Sequence, residues 1–286
     1  MLTEALPGLA EWTARFAGMA VPVLRRTSRQ LTGLAASTEE PCARDVATTI
    51  AGDPLATIRL FAFLASHRRM RQITEITSVE GCVIMMGVPP LMHDLARAPC
   101  IEESLHGRPE ALRGLLRVVR RSRHAARLAW QFGAWRNDLD AGALATAALL
   151  HDFVETLLWA AAPELALEID RKLHADPSLR SRTAQRAVLN IEVNELQVEL
   201  ATAWQLPELY RQMMDDSSAR HPRALLVMHS VALARHSALG WDNPALPDDY
   251  RALASLLNTS AERVRAMAEP DDGARHAEPA SADNLS

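Results

Sequence analysis

Lysine, cysteine and aromatic residues are all scarce in this chain of 286 residues. Lys172 is the sole lysine, aromatic residues make up 5%, and there are three cysteines. Cys42, Cys82 and Cys100 lie far apart and show neither a metal-binding spacing nor a disulfide framework, which predicts a reducing cytoplasm as the location. The preference for arginine over lysine is typical of a GC-rich genome.

Several functional signatures are also absent from the sequence. It contains no glycine-rich phosphate loop, no Cys–His zinc spacing and no GxSxG nucleophile elbow. The N-terminus lacks the basic region and apolar core of a signal peptide. The net charge of −4 gives no bulk attraction to nucleic acid or to an anionic membrane. We therefore expect no membrane attachment and no specific nucleic-acid binding.

Helical periodicity runs through nearly every segment, and strand-like alternation is missing. Alanine and leucine dominate, which favours helix over sheet. We predict an all-α protein of roughly a dozen helices, with one lobe over residues 1–104 and a second over 105–267, joined near 100–108. Residues 268–286 are rich in Asp, Gly, Glu, Pro and Ser, which predicts a disordered tail.

Capping residues mark several helix ends. Asp53 can cap a helix whose first turn holds Pro54, and Gly87 suits the C-cap of a short helix over 78–86. In the second half, the pattern predicts continuous helices over 109–132, 181–204 and 248–267, the first of them ended by Gly133.

The chain is organised around residues 138–162, which are apolar nearly all the way round a single predicted helix that ends before Pro163. A helix without a polar face belongs in the middle of a helical protein. It is long enough to cross a bilayer, but His151, Asp152 and Glu155 fall near its centre, where charge is expensive in lipid. We therefore expect a buried helix in a soluble protein.

His124, His151 and Asp152 form the first candidate site. Imidazole and carboxylate groups together suit a divalent metal such as Zn, Mn or Fe, and a metal-bound water could attack a phosphoester. The alternative is a purely structural, hydrogen-bonded His–Asp pair in the core. The spacing of these residues leaves both interpretations open.

An arginine row forms the second candidate site, a ligand or partner face on the predicted helix 109–132. Its members recur at spacings of three or four, as they would on one face of a helix: Arg113, Arg117, Arg120, Arg121, Arg123 and Arg127. Such a face could bind an anionic ligand or an acidic partner. The alternative is a solvated face opposite the apolar stripe, which contains Leu115, Val119 and Trp130.

Four short stretches, in this order, resemble motifs of the HDOD family of helical output domains: Asp53-Pro54-Leu55, Ser78-Val79-Glu80, Leu150-His151-Asp152 and Trp204-Gln205-Leu206-Pro207. Together they extend the resemblance over residues 18–240. It implies an HD-domain-like helical bundle with an N-terminal helical lobe, related to HD-type metal-dependent phosphohydrolases.

The departures from the family pattern bear on activity. Glu155 stands where catalytic relatives have a lysine that neutralises phosphate. Val193 stands where the family pattern has a further histidine. The pattern's His-His pair would fall near Asp215 and Asp216. The stretch 228–234, where the final metal-binding aspartate is expected, holds no carboxylate. Asp215 or Asp216 could supply a fourth ligand only if the chain brings it near His151.

The resemblance therefore implies a non-catalytic bacterial signalling or regulatory protein, without a cofactor, that binds a partner protein or a nucleotide. The cleft between the lobes and the arginine row are the places expected to bind it. One alternative is a metal-dependent phosphohydrolase or phosphodiesterase that uses His124, His151 and Asp152. Another is a structural adaptor with a vestigial cleft. The sequence leaves the oligomeric state open.

Overall fold

The computed structural model describes residues 1–67, 76–176, 178–214 and 221–269, and within these ranges the chain forms α-helices without a strand. The first part contains α1 (Leu9–Ala17), α2 (Arg25–Ala35), α3 (Ala43–Ala51), α4 (Pro54–His67), α5 (Val79–Met86), α6 (Val88–Ala96) and α7 (Ile101–Ser104). The second part contains α8 (Pro109–Trp135), α9 (Ala141–Leu150), α10 (Phe153–Ala161), α11 (Pro163–Ala175), α12 (Ser181–Leu189), α13 (Val193–Ala203), α14 (Glu208–Met214), α15 (Pro222–His236), α16 (Leu246–Leu257) and α17 (Ala261–Ala268). The predicted all-α class is confirmed.

The hydrophobic core runs through both parts of the chain. Its buried residues extend from Trp12 in α1 to Ala268 at the end of α17. Helix α4 of the N-terminal part contacts α8, α9 and α10, so the two parts share apolar packing. The lobe boundary near residues 100–108 stays a prediction, and residues 270–286 of the predicted tail lie outside the described residues.

The central segment is buried, as expected, but it is not one helix. Helix α9 ends at Leu150, and α10 starts at Phe153. Asp152 has φ −109° and ψ 29°, outside the helical region, and its carbonyl accepts the first bond of α10 from the Thr156 amide. The window of 18 residues between 141 and 161 is 78% buried inside the protein, as in a core helix pair. The prediction of a single helix over 138–162 is therefore wrong, because His151 and Asp152 form a joint between two helices.

Three more predicted helix ends need correction. The segments 181–204 and 248–267 are each divided by an asparagine in the left-handed conformation, Asn190 at φ 63° and Asn258 at φ 50°. Asparagine visits this region more readily than most residues. Gly133 does not end α8, which continues to Trp135. A Cβ at Gly133 would lie 2.6 Å from Leu144 Cδ1, so this glycine lets α8 and α9 pack closely.

The capping predictions in the N-terminal part hold. The Asp53 carboxylate accepts hydrogen bonds from the amides of Leu55 and Leu24 at 2.9 Å each, and so ties the start of α4 to the segment before α2. Ser78 caps α5 through the Gly81 amide, and Gly87 follows α5 at φ 78°.

One residue of the predicted apolar stripe of α8 does not face the core. The side chain of Trp130 is exposed, so this part of the prediction is wrong. Periodicity alone misplaces Trp130, because its neighbours Leu128, Ala129 and Phe132 are the buried residues of this part of the helix.

Candidate functional site

The joint between α9 and α10 places a histidine and a carboxylate side by side in the interior. His151 is 6% exposed and Asp152 is 7% exposed. Nδ1 of His151 lies 3.1 Å from Oδ1 of Asp152. The chain leaves the helical conformation at Asp152, whereas His151 keeps helical backbone angles at the end of α9. The structure therefore contains a buried His–Asp pair, which is one of the two interpretations that the sequence leaves open.

Two guanidinium groups, from two different helices that pack beside the joint, bind the Asp152 carboxylate. Arg121 on α8 donates through Nη2 to Oδ2 at 2.8 Å. Arg235 on α15 donates through Nη2 to Oδ1 at 2.5 Å, and its Nε lies 3.4 Å from Oδ2. Arg121 Nη2 also donates to Glu155 Oε2 at 2.6 Å. We call Arg121, Asp152, Glu155 and Arg235 the ionic cluster; it joins α8, α10 and α15.

The electrostatics keep this cluster ionised. Burial alone would raise the pKa of Asp152, but Arg235 and Arg121, with the hydrogen bond to His151, hold that pKa well below its usual range. Burial would lower the pKa of Arg121, but Glu155 and Asp152 outweigh that effect and raise it. At neutral pH the cluster therefore contains two positive and two negative charges.

A cavity of about 470 Å³ opens beside the cluster, and we call it the central cavity. The ionic cluster and His151 form one wall, and helices α10 to α13 form the others. Its remaining lining mixes apolar, amide and charged side chains, which include Leu158, Trp159, Ile169, Asp170, Leu173, Arg182, Gln185, Val193, Asn194 and Gln197. The volume suits a small ligand or an inserted side chain.

A second cavity, of about 310 Å³, lies between the two parts of the chain. Helices α3 and α5 line it on one side, and α8 and α9 line it on the other. Ala47, Val79, Trp130 and Leu149 contribute apolar surface, and Arg44 lies at its margin. We call it the interlobe groove. It lies between the two parts of the chain where the sequence analysis expects a binding cleft.

His124 does not complete a metal-binding group with His151 and Asp152. Its ring packs edge-on against Trp241, with 5.9 Å between ring centroids. Burial, with a smaller effect from Arg127, lowers the pKa of His124 to about 4. Within the described residues, no three His, Cys, Asp or Glu side chains converge as a metal ion requires. Asp215 and Asp216 lie outside the described residues.

The donor set at the joint is also unfavourable for a divalent metal. Both oxygens of Asp152 already accept bonds from guanidinium groups. A divalent cation at Asp152 would face the positive charges of Arg121 and Arg235 at close range. The side chains described here therefore fit an internal ion cluster better than a metal centre.

The predicted arginine row is divided between different environments. Arg113, Arg117 and Arg120 are exposed, and Arg117 pairs with Asp170 on α11 at 2.7 Å. Arg127 donates to the carbonyl of Ala268 at 3.2 Å. Arg121 instead turns into the ionic cluster.

Arg235 is the site residue that sequence reasoning missed. It follows directly after the stretch 228–234, where an acidic metal ligand was sought and none was found. A search for any charged group at the end of that stretch, of either sign, would have found it.

Comparison with known proteins places this geometry in a family. The model of the HDOD domain matches residues 21–219, more than half of the chain. The chain belongs to the HDOD family. The resemblance noted in the sequence is thereby confirmed, and no curated protein matches the chain in a sequence search.

Solved structures share the fold of this HDOD protein. The MmoQ response regulator from Methylococcus capsulatus str. Bath is 19% identical, with a TM-score of 0.68, over 89% of this chain and 100% of that one. A virulence factor from Campylobacter jejuni subsp. jejuni is 17% identical, with a TM-score of 0.64, over 93% of this chain and 94% of that one. At these identities the similarity establishes the fold.

Proposed function

We propose that this HDOD protein is a non-catalytic regulatory protein of bacterial signalling that works by binding a partner protein or a nucleotide. The observation that carries the proposal is the ionic cluster: the one carboxylate at the joint is committed to two arginines, beside a cavity of about 470 Å³. A binding site is thus retained where the chemistry of a hydrolase is not.

One structural relative supports a signalling role: a protein of the same fold is described as a response regulator. The three cysteines lie far apart in the sequence, and Cys82 and Cys100 are buried, which agrees with the reducing cytoplasm that we propose as the location. Glu155 lies 2.6 Å from Arg121 and adds negative charge to the wall of the central cavity, where it would repel the phosphate of a hydrolase substrate.

The first test is ligand binding. Purified protein is titrated calorimetrically with ribonucleoside mono-, di- and triphosphates and with cyclic dinucleotides. Ile169→Trp fills the central cavity, and Thr48→Trp fills the interlobe groove from an exposed position. Binding that one of these variants abolishes, while the other retains it, locates the nucleotide site.

A partner protein is tested by photo-crosslinking in cells. A photoreactive amino acid replaces Leu173 in the central cavity or Arg44 in the interlobe groove, and crosslinked proteins are identified by mass spectrometry. A partner must crosslink from one position and be lost with the matching tryptophan variant. Charge reversal of Arg113 and Arg120, which line neither cavity, separates this outcome from an adaptor that acts through the arginine row.

The alternative function is tested on the same samples. Hydrolysis of bis(4-nitrophenyl) phosphate is followed with Mn²⁺, Fe²⁺ or Zn²⁺ present. Turnover that disappears in His151→Ala would overturn the proposal. No turnover, together with binding blocked by one tryptophan variant, is the expected outcome.

A further inference from the structure

The charges of the ionic cluster point to a specific role for Arg235. We propose that the Arg235 guanidinium is a built-in counter-ion of Asp152 and takes the place that a divalent cation would need. The inference concerns the interior of the protein, and it stands whichever ligand the central cavity binds.

The formal charges of the ionic cluster balance without a metal. Arg121 and Arg235 contribute two positive charges, and Asp152 and Glu155 contribute two negative charges, so the cluster sums to zero. A divalent cation at Asp152 would leave two uncompensated positive charges around a carboxylate that is 7% exposed. Buried charge without a partner is strongly unfavourable, so the cluster is complete without a metal.

The two arginines differ in the carboxylates that they contact. Arg121 Nη2 is shared between Asp152 at 2.8 Å and Glu155 at 2.6 Å. The ion pair of Arg235 in this cluster goes to Asp152 alone, and both Nε and Nη2 are directed at its two carboxylate oxygens. This side-on, two-point geometry is the strong form of a guanidinium–carboxylate pair. Arg235 therefore compensates Asp152, while Arg121 compensates Glu155 and bridges to Asp152.

Arg235 and Arg121 differ in exposure. The side chain of Arg235 is 45% exposed, against 20% for Arg121, yet its guanidinium reaches from α15 to the carboxylate at the joint. The bond links α15 to the α9–α10 turn across 83 residues of sequence and fixes one wall of the central cavity.

The test is a double-mutant cycle on thermal stability. Arg235→Met, Asp152→Asn and the double variant are compared with the wild type in the full chain. Arg235→Met should lower Tm by about 2–4 °C, the shift expected in a chain of this size when a partly exposed ion pair is lost. In the Asp152→Asn background the same change should cost less than about a third of that, since the charge to be compensated is gone. Arg235→Lys, which keeps the charge and loses the two-point geometry, should fall between the wild type and Arg235→Met.

The control is Arg182→Met. Arg182 lines the same cavity, but it is well exposed, and its ion pair is with Glu192 at 3.8 Å. Its loss should leave Tm within about 1 °C, as for most exposed ion pairs. Each protein is also melted with and without 1 mM MnCl₂ or ZnCl₂, and the wild type should show no upward shift.

Either of two results would overturn the inference. Equal losses from Arg235→Met in both backgrounds would show that Arg235 acts by packing. A metal-dependent rise in the Tm of the wild type, lost in Asp152→Asn, would show that the cluster accepts a cation alongside Arg235. Because the cycle measures stability without ligand, a failed search for a nucleotide or partner leaves its result unchanged.

Discussion

Gly114 is the position where a single methyl group should disturb the candidate site most directly. It lies on α8, seven residues and therefore two helical turns before Arg121. A Cβ at Gly114 would lie 2.4 Å from Cη2 of Trp159 on α10, with Cζ3 at 2.5 Å and Cζ2 at 2.6 Å. Carbon atoms in contact are separated by about 3.5–4.0 Å. Gly114→Ala must therefore displace the Trp159 indole, or α8 and α10 themselves, by about 1 Å.

The cost of that displacement follows from two opposing effects. Overpacking a dense core costs about 1–3 kcal/mol, and the buried indole of Trp159 places this site at the upper end. Replacing glycine by alanine within a helix returns about 1 kcal/mol. We expect Gly114→Ala to lower the free energy of unfolding by about 2 kcal/mol. Arg121 on α8 would also shift relative to Glu155 on α10.

Urea denaturation measures the effect, and Gly33→Ala is the matched control. Gly33 lies within α2, where an added Cβ would meet nothing within 4 Å. Gly33→Ala should therefore gain up to about 1 kcal/mol. If Gly114→Ala is as stable as Gly33→Ala, the close approach of α8 and α10 is wrong, and so is the positioning of Arg121 derived from it.

Three other changes test separate parts of the structure. Asp53→Ala should cost about 2 kcal/mol in urea denaturation, because it leaves two buried amides without their acceptor; an unchanged midpoint would contradict the cap. His124→Phe tests the lowered pKa of His124. In the unfolded chain this imidazole takes up a proton below about pH 6.5, whereas in the folded protein it stays neutral down to about pH 4. Wild-type stability should therefore fall as the pH drops through this window, and His124→Phe, which keeps an aromatic edge for Trp241, should flatten the fall; parallel curves would refute it. Asp152 titrates with the same sign but at lower pH: its lowered pKa stabilises the fold above about pH 4, so Asp152→Asn should lose its difference from the wild type as the pH falls below 4.

The fold and the buried pair could be predicted because their signals are local. Helical periodicity, the Asp53-Pro54 start and the Gly87 end depend on a few neighbouring residues. His151 and Asp152 stood out because polar groups in an apolar segment need partners. The break at the joint was missed, because the mostly apolar helices α9 and α10 on either side mask a turn that lacks glycine and proline.

The partners of the pair could not be predicted, because they are long-range. Arg121 is 31 residues before Asp152, and Arg235 is 83 residues after it. Spacing along α8 groups Arg121 with Arg117, but packing against α10 turns only Arg121 inward. Which member of a charged row becomes buried depends on the crossing of helices, which a helical pattern does not encode.

Metal content is the measurement that tests the central claim most directly. The protein is purified without chelator, offered Mn, Fe, Ni and Zn in turn, and analysed for bound metal per chain beside His151→Ala. The two-arginine cluster predicts no stoichiometric metal in either protein under any of these conditions. Near-stoichiometric metal in the wild type that is lost in His151→Ala would contradict the account and return the HD-type phosphohydrolase activity to first place.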